Sequence, residues 1–539
     1  MASNLNNQNT PLLTPEMENP QIKSSSSISI PIENNEALTQ FHELEDTPHG
    51  RHLGVFGVVM MIIQRIIGSG IFAVSSMIYR DVGGCTGLFF LVWIIAGYSS
   101  YAGISCFGEL GSIVPRSGGM KVFLEYIYFK PKMMMSVVFN CYTLLFGSII
   151  ANVIVLGEYL LYACGYDADP NMAKIIGLIF LFFSCLTLGI STKIGVKIQN
   201  ITGVLKLLLL CFISLTGLYV LIFPFSLTKI ENNFHLNEFF KVKSTVTFSS
   251  FSSALLKAIF SFNGWQTTHV VMNEIKDPVQ TMKIAAPLAL LLINACYLLI
   301  NLSYLIVIPG DELLNIDEMV GSILFEKIFG EDVGRRFLTA IVAFSVAGNI
   351  IVVLYHISRM NQEIFRSGFL PYSRFFASNA PFGAPLRSLL IPFFITAIVI
   401  SIPTDANIFN YAINLESYPL QFFIGLICFG IVLIRRRDPN LNPAIKASKF
   451  DIFFMCSFCL IMFIGPLTKS NTEFAGLPNY AWLSIFILLL CVAYWYGMFI
   501  GLPKLRGYTL EVEDKVLSDG LVIKTWKKVS SDGQGYQLV

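Results

Sequence analysis

Apolar residues in this chain come in long unbroken runs, not in the short alternations or amphipathic stripes of a soluble fold. Runs long enough to cross a bilayer, about 20 residues each, fall near 54–79, 85–110, 133–163, 173–191, 200–223, 248–274, 284–308, 335–360, 387–403, 406–434, 450–468 and 479–501. The pattern predicts an all-α polytopic membrane protein with twelve transmembrane helices. Two of the runs are interrupted where a continuous helix is otherwise expected. The first contains Gln64-Arg65-Ile66-Ile67-Gly68-Ser69-Gly70-Ile71-Phe72 and the sixth contains Phe260-Ser261-Phe262-Asn263-Gly264-Trp265. Such glycine-containing breaks free backbone N–H and C=O groups at membrane depth, where hydrocarbon cannot satisfy them, so a break persists only where it lines a polar cavity or meets a ligand. Each lies about 15 residues into its run, at similar depth from opposite faces, which predicts a five-plus-five inverted repeat with broken helices one and six. Helices eleven and twelve fall outside that repeat.

The polar segments set boundaries and orientation. Residues 1–50 are rich in Asn, Ser and Pro and lack the basic-then-apolar pattern of a signal peptide. They are expected to be a disordered cytoplasmic N-terminal tail. The ten-helix core then covers 51–434, two additional helices cover 449–501, and a cytoplasmic C-terminal tail covers 502–539. Lys and Arg concentrate in one set of loops, among them Arg116, Lys121, Lys130, Lys132, Arg366, Arg374, Arg435, Arg436 and Arg437. That set is expected to face the cytoplasm, which places both termini inside.

Composition agrees with the pattern: 54% of residues are hydrophobic and 13% charged, against about 25% charged in an ordinary soluble domain. The net charge of +2 comes with no basic stripe, so no nucleic-acid partner is expected. Most of the 11 cysteines lie within apolar runs, and the Cys456/Cys459 pair has no His or acidic neighbour, so neither a disulfide framework nor a metal site is indicated. No phosphate-binding loop, zinc signature or nucleophile elbow is present, which leaves enzyme chemistry without support.

The two breaks suggest their own ligand. The N–H groups of Ser69, Gly70 and Ile71 would open the second half of helix one, where free donors and the positive dipole end suit an α-carboxylate. Carbonyls near Ile66 and Ile67, with those at Phe260, Ser261 and Asn263, would accept from an α-ammonium, and Gly68 belongs to the same substrate-binding break. Phe262, Gly264 and Trp265 complete the second segment, the aromatic rings being candidates for the pocket wall. Lys206 is the only basic residue between Lys197 and Lys229, and a lone ammonium inside a span marks a functional group by default. Arg65, paired with Glu109 or Glu274, would make a cytoplasmic gate. Glu158, Lys257, His269, His356 and Glu416 also lie within or near spans.

Motifs in order along the chain resemble the amino acid–polyamine–organocation superfamily. They are Ile67-Gly68-Ser69-Gly70-Ile71-Phe72, Pro115-Arg116-Ser117-Gly118-Gly119, Gly264-Trp265, Glu274-Ile275-Lys276-Asp277-Pro278 and Arg366-Ser367-Gly368-Phe369-Leu370-Pro371. The runs Phe72–Tyr79, Lys276–Ala285 and Leu370–Ser378 more closely resemble the fungal high-affinity methionine permease family. The resemblance implies a LeuT-like fold and a proton-coupled plasma-membrane permease importing L-methionine, cysteine or related neutral amino acids by alternating access, with the proton gradient in place of a cofactor. Within it, Phe260 matches the residue that closes over the substrate, and Lys206 occupies the place that sodium-coupled relatives give to an ion, where it would exchange a proton. It also implies a ubiquitin ligase adaptor acting on the N-terminal tail, with Lys23 as the candidate site. The rival readings are a broad neutral amino acid permease and a nutrient-sensing receptor that transports weakly.

Overall fold

All twelve expected runs are helical in the computed structural model, which describes residues 53–517, 522–530 and 535–537 apart from 117, 148, 167–168, 191, 224, 317–319, 381, 403–407 and 469–477. The first run is split into α1 (Val55–Ile66), α2 (Gly70–Ala73) and α3 (Ser75–Asp81). Next come α4 (Thr86–Ile113) and α5 (Met120–Ile127), the latter lying between the second and third runs. The third run is unexpectedly divided into α6 (Met134–Phe146) and α7 (Ile150–Ala163). The fourth and fifth runs are α8 (Pro170–Ile190) and α9 (Thr192–Ile222). The sixth is α10 (Phe248–Phe262) followed by a 3₁₀ stretch over Trp265–Glu274. After α11 (Pro278–Val307), α12 (Val320–Gly330) runs through a π-turn into α13 (Thr339–Arg366). The remaining spans are α14 (Leu386–Ile400), α15 (Ile408–Arg437), α16 (Lys449–Ile464) and α17 (Tyr480–Tyr496).

Among the described residues, ten continuous helical stretches are long and apolar enough to cross a membrane. The sixth and ninth runs supply only the shorter α10 and α14, of 15 residues each. Burial separates central helices from peripheral ones. The apolar window of Val55–Ala73 is 72% buried, that of Pro170–Ile190 only 39% and that of Tyr480–Arg506 only 17%. The exposed side of α8 carries Ile175, Ile179, Phe182, Phe183 and Leu186, the composition expected of a lipid-facing surface.

Packing divides the first ten runs into two groups. The first, second, sixth and seventh runs pack together through α1 on α11, α4 on α10 and α11, and α3 on α10. The third, fourth, eighth and ninth pack together through α7 on α8 and α13, and α14 on α8 and α13. Each group takes matching members from both halves of the chain, which fits a five-plus-five repeat. An ion pair also joins the two interrupted runs: Lys257 Nζ lies 2.6 Å from Asp81, with the two side chains only 7% and 16% exposed.

The C-terminal segment, expected as a simple tail, forms a three-stranded antiparallel sheet of β1 (Tyr508–Val516), β2 (Val522–Ser530) and β3 (Gly535–Gln537). Trp526 on β2 buries its ring against Val137, Phe369 and Trp495 and donates its indole N–H to Ser367 O at 3.0 Å. Gly368, at φ +75°, brings its backbone so close to Lys524 O that a β-carbon would stand 1.7 Å away. A hairpin extended by a three-residue edge strand has little stability alone, and Trp526, with Ile523 against Phe365 and Ala377, anchors it on the helices. Truncating a buried Trp to Ala costs about 3–5 kcal/mol. We therefore expect Trp526→Ala to make residues 508–537 protease-sensitive and fast in hydrogen exchange while the helical core stays protected.

Candidate functional site

The two breaks cross each other, and the contact is backbone-close in both directions. A β-carbon on Gly70 would lie 2.6 Å from Ser261 Oγ and 2.7 Å from Ser261 Cα. Reciprocally, Gly264 has φ +127°, and a β-carbon there would lie 3.1 Å from Arg65 O. Gly264 is thus required for conformation as well as for space. Gly68 and Gly70 have ordinary φ angles, since neither is among the positive-φ glycines. For them the constraint is space alone, and it is far tighter at Gly70 than at Gly68, whose nearest neighbour is Asn349 Oδ1 at 3.2 Å.

Backbone groups freed by the first break are satisfied by side chains from several other helices. Lys206, 1% exposed, donates from Nζ to Ile67 O at 2.6 Å, with Gln64 O at 3.5 Å. Asn349 on α13 donates to the same two carbonyls at 3.2 and 3.3 Å. The Tyr297 hydroxyl bridges Ile66 O at 3.5 Å and Ser261 O at 3.0 Å, joining the breaks. Tyr304 donates to Ile71 O at 3.2 Å, and Asn152 on α7 accepts from Ser69 Oγ at 2.9 Å and more weakly from Ser69 N at 3.4 Å. Buried polar groups need such partners. The expected ammonium acceptors Ile66, Ile67 and Ser261 therefore already carry protein donors, although each carbonyl has a second lone pair. The N–H groups of Gly70 and Ile71 open α2, where no intrahelical acceptor exists for them.

A small cavity, about 30 Å³, lies at this crossing, lined by Arg65, Ile66, Gly68, Ser69, Gly70, Phe260 and Asn263 from the two breaks. Ile149 and Asn152 reach it from α7, Asn349 and Val353 from α13, and Glu416 from α15. Amide donors at one edge, polar side chains around the wall and one large aromatic ring are groups that suit the two charged ends and the apolar part of a zwitterion.

Several expected site residues stand elsewhere. Ile67, Ile71, Ser261 and Gly264 support the crossing without lining the cavity. Phe262 packs on Trp93 and Tyr297, with ring centroids 6.1 and 4.9 Å apart. Trp265 packs on Phe107 at 4.9 Å, so these two rings form core instead of pocket wall. Glu109 does not pair with Arg65: it takes both Nε and Nη2 of Arg435 at 2.9 and 2.6 Å and accepts from Ala447 N at 2.7 Å. Arg435 has the planar fork that matches a carboxylate, whereas Arg65 is turned into the cavity. The side chain of Glu274 and all of Lys23 lie outside the described residues.

Asn152, Asn349, Tyr297, Tyr304 and Glu416 are the contributors that sequence reasoning left unassigned. The one signal pointing toward Asn152 is the Gly147-Ser148 pair inside the third run, where α6 gives way to α7 and Ile149 and Asn152 turn toward the cavity.

A multispan helical protein whose two interrupted helices enclose a small polar cavity has the form of a small-solute permease. Residues 53–497 match the family described as amino acid permease, and the chain belongs to that family. It is 38% identical over 486 residues to the low-affinity methionine permease of Saccharomyces cerevisiae, covering 90% of this chain and 89% of that protein. It is 30% identical over 502 residues to the high-affinity methionine permease of the same yeast, covering 90% and 85%. The serine/threonine exchanger SteT of Bacillus subtilis is 22% identical over 84% of this chain and 98% of its own length. The protein is therefore a membrane-embedded amino acid transporter, as its permease relatives are.

The crossing geometry gives a graded prediction. Gly70→Val should abolish amino acid uptake with the protein still at the cell surface. Gly70→Ala should already be severe, because its methyl must displace Ser261 backbone as well as the Ser261 hydroxyl. Gly68→Ala should be milder, since the Asn349 side chain can shift. Uptake normalised to surface level checks the order, and near-normal uptake by Gly70→Ala would contradict it.

Proposed function

We propose that this protein is a proton-coupled plasma-membrane permease that imports L-methionine, with cysteine and related neutral amino acids as further substrates, by alternating access. The carrying observation is the cavity at the crossed breaks in a chain 38% identical to a low-affinity methionine permease. The α-carboxylate sits on the N–H groups of Gly70 and Ile71 beside Ser69, and the α-ammonium uses the remaining lone pairs at Ile66, Ile67 and Gly68 and the carbonyls of the second break. Phe260 closes over the side chain, and its ring suits a thioether, since sulfur–aromatic contacts contribute roughly 0.3–1.5 kcal/mol. Helices one and six bend at their breaks while the third, fourth, eighth and ninth helices act as the frame. Both termini face the cytoplasm, where Lys and Arg concentrate in the loops.

Lys206 is the proton-linked group in this proposal. Charged, its ammonium pins Ile67 O and holds the inner half of helix one; neutral, it loosens that hold and lets the inner half swing. Lys206→Met should remove the dependence of uptake on external acidity, or stop uptake while substrate still binds. A Lys206→Met protein that remains acid-stimulated and accumulates substrate uphill places coupling elsewhere. Uptake of labelled methionine with a panel of competing amino acids tests the substrate, and equal competition by all neutral amino acids would favour the broad permease.

Surface residence is regulated, we propose, through a ubiquitin ligase adaptor acting on the N-terminal tail at Lys23. Lys23→Arg should keep the tagged protein at the surface when substrate is in excess. Internalisation at the normal rate moves the site to other lysines.

A further inference from the structure

Two opposite charges line the cavity without touching. Arg65 enters from the inner half of the first break and Glu416 from α15, and both are lining residues. Each lies in the other's field, yet among the described residues no ion pair joins them and Arg65 Nε has no hydrogen-bond partner. Other titratable groups face the pair: Lys206 and His356 are within reach of the Arg65 charge and Tyr142 of the Glu416 charge. None of these three lines the cavity. The Lys206 ammonium is turned onto Ile67 O and the His356 ring onto Val352 O at 2.8 Å. The cavity wall therefore carries one basic and one acidic side chain.

We infer that Arg65 and Glu416 are the charge-selectivity pair of the transport site: together they keep it neutral, and so it accepts amino acids with neutral side chains while rejecting acidic and basic ones. This inference rests on the permease reading above. A charge introduced by the substrate side chain finds one lining charge to oppose and one to attract, so it gains nothing for the water it loses. Removing one member leaves the other uncompensated in a desolvated wall, and a substrate that restores the balance is then favoured. Glu416→Gln leaves a cation and should admit an acidic side chain. Arg65→Gln leaves an anion and should admit a basic one.

The experiment measures uptake of labelled methionine, glutamate and lysine in cells carrying wild type, Arg65→Gln, Glu416→Gln or both substitutions, each normalised to surface-exposed protein. Relative to methionine, glutamate uptake should rise roughly tenfold in Glu416→Gln and lysine uptake roughly tenfold in Arg65→Gln. The double variant, balanced again, should return to the wild-type ratios. Ratios within about twofold of wild type in both single variants would overturn the inference. Where a single variant fails to reach the surface, the double variant decides: recovered surface level and methionine uptake support charge balance, and a double variant as defective as the singles contradicts it. A wild-type protein that takes up none of the three amino acids would sink the permease reading; wild-type uptake with unmoved ratios sinks this inference alone.

Discussion

The crossing of the two helix breaks is the contact on which the rest of this structure depends. Gly70 lets the first break approach Ser261, and Gly264 lets the second approach Arg65. No side chain larger than hydrogen fits at Gly70 without moving backbone, and the φ of Gly264 is one that other residues rarely adopt. Once the two segments touch, residues of both breaks face one small cavity. Had either helix run unbroken, its backbone would have been satisfied internally and would have offered a ligand nothing.

Breaking a helix at membrane depth leaves polar groups that cost several kcal/mol each if unmet. This protein meets several of them with side chains. Lys206, Asn349, Tyr297, Tyr304 and Asn152, drawn from four other spans, each bond to a residue of the first break. Helix one is therefore held by contacts that can be exchanged, not by its own continuous ladder. Exchangeable contacts of that kind are what the proposed alternating access would require of helix one. Lys206, which does not line the cavity, is tied to the first break through Ile67 O.

How much of this was legible in the sequence follows from the physics of each signal. The breaks at Gly68–Gly70 and Asn263–Gly264 were readable because glycine next to a polar residue weakens a membrane helix at a point where lipid offers its backbone no partner. Lys206 was readable because a single ammonium in a long apolar helix stands out. Glu109 was readable as a charge but not as half of a pair, since Arg435 lies 326 positions away and only tertiary packing joins them. Phe262 and Trp265 had the right composition for a pocket wall and the wrong direction, because orientation next to a break is fixed by neighbours such as Trp93 and Phe107. The terminal sheet was missed because it is a small sheet at the chain's end that gains stability by docking Trp526 and Ile523, a contact only tertiary packing reveals.

The central claim, that backbone at the crossed breaks holds the amino acid, is tested most directly by imaging the purified protein with bound methionine in a lipid environment by cryo-electron microscopy. The account predicts the carboxylate within hydrogen-bond distance of the Gly70 and Ile71 amides, with the side chain against Phe260. Density for the carboxylate on the Arg65 guanidinium, away from those amides, would contradict it.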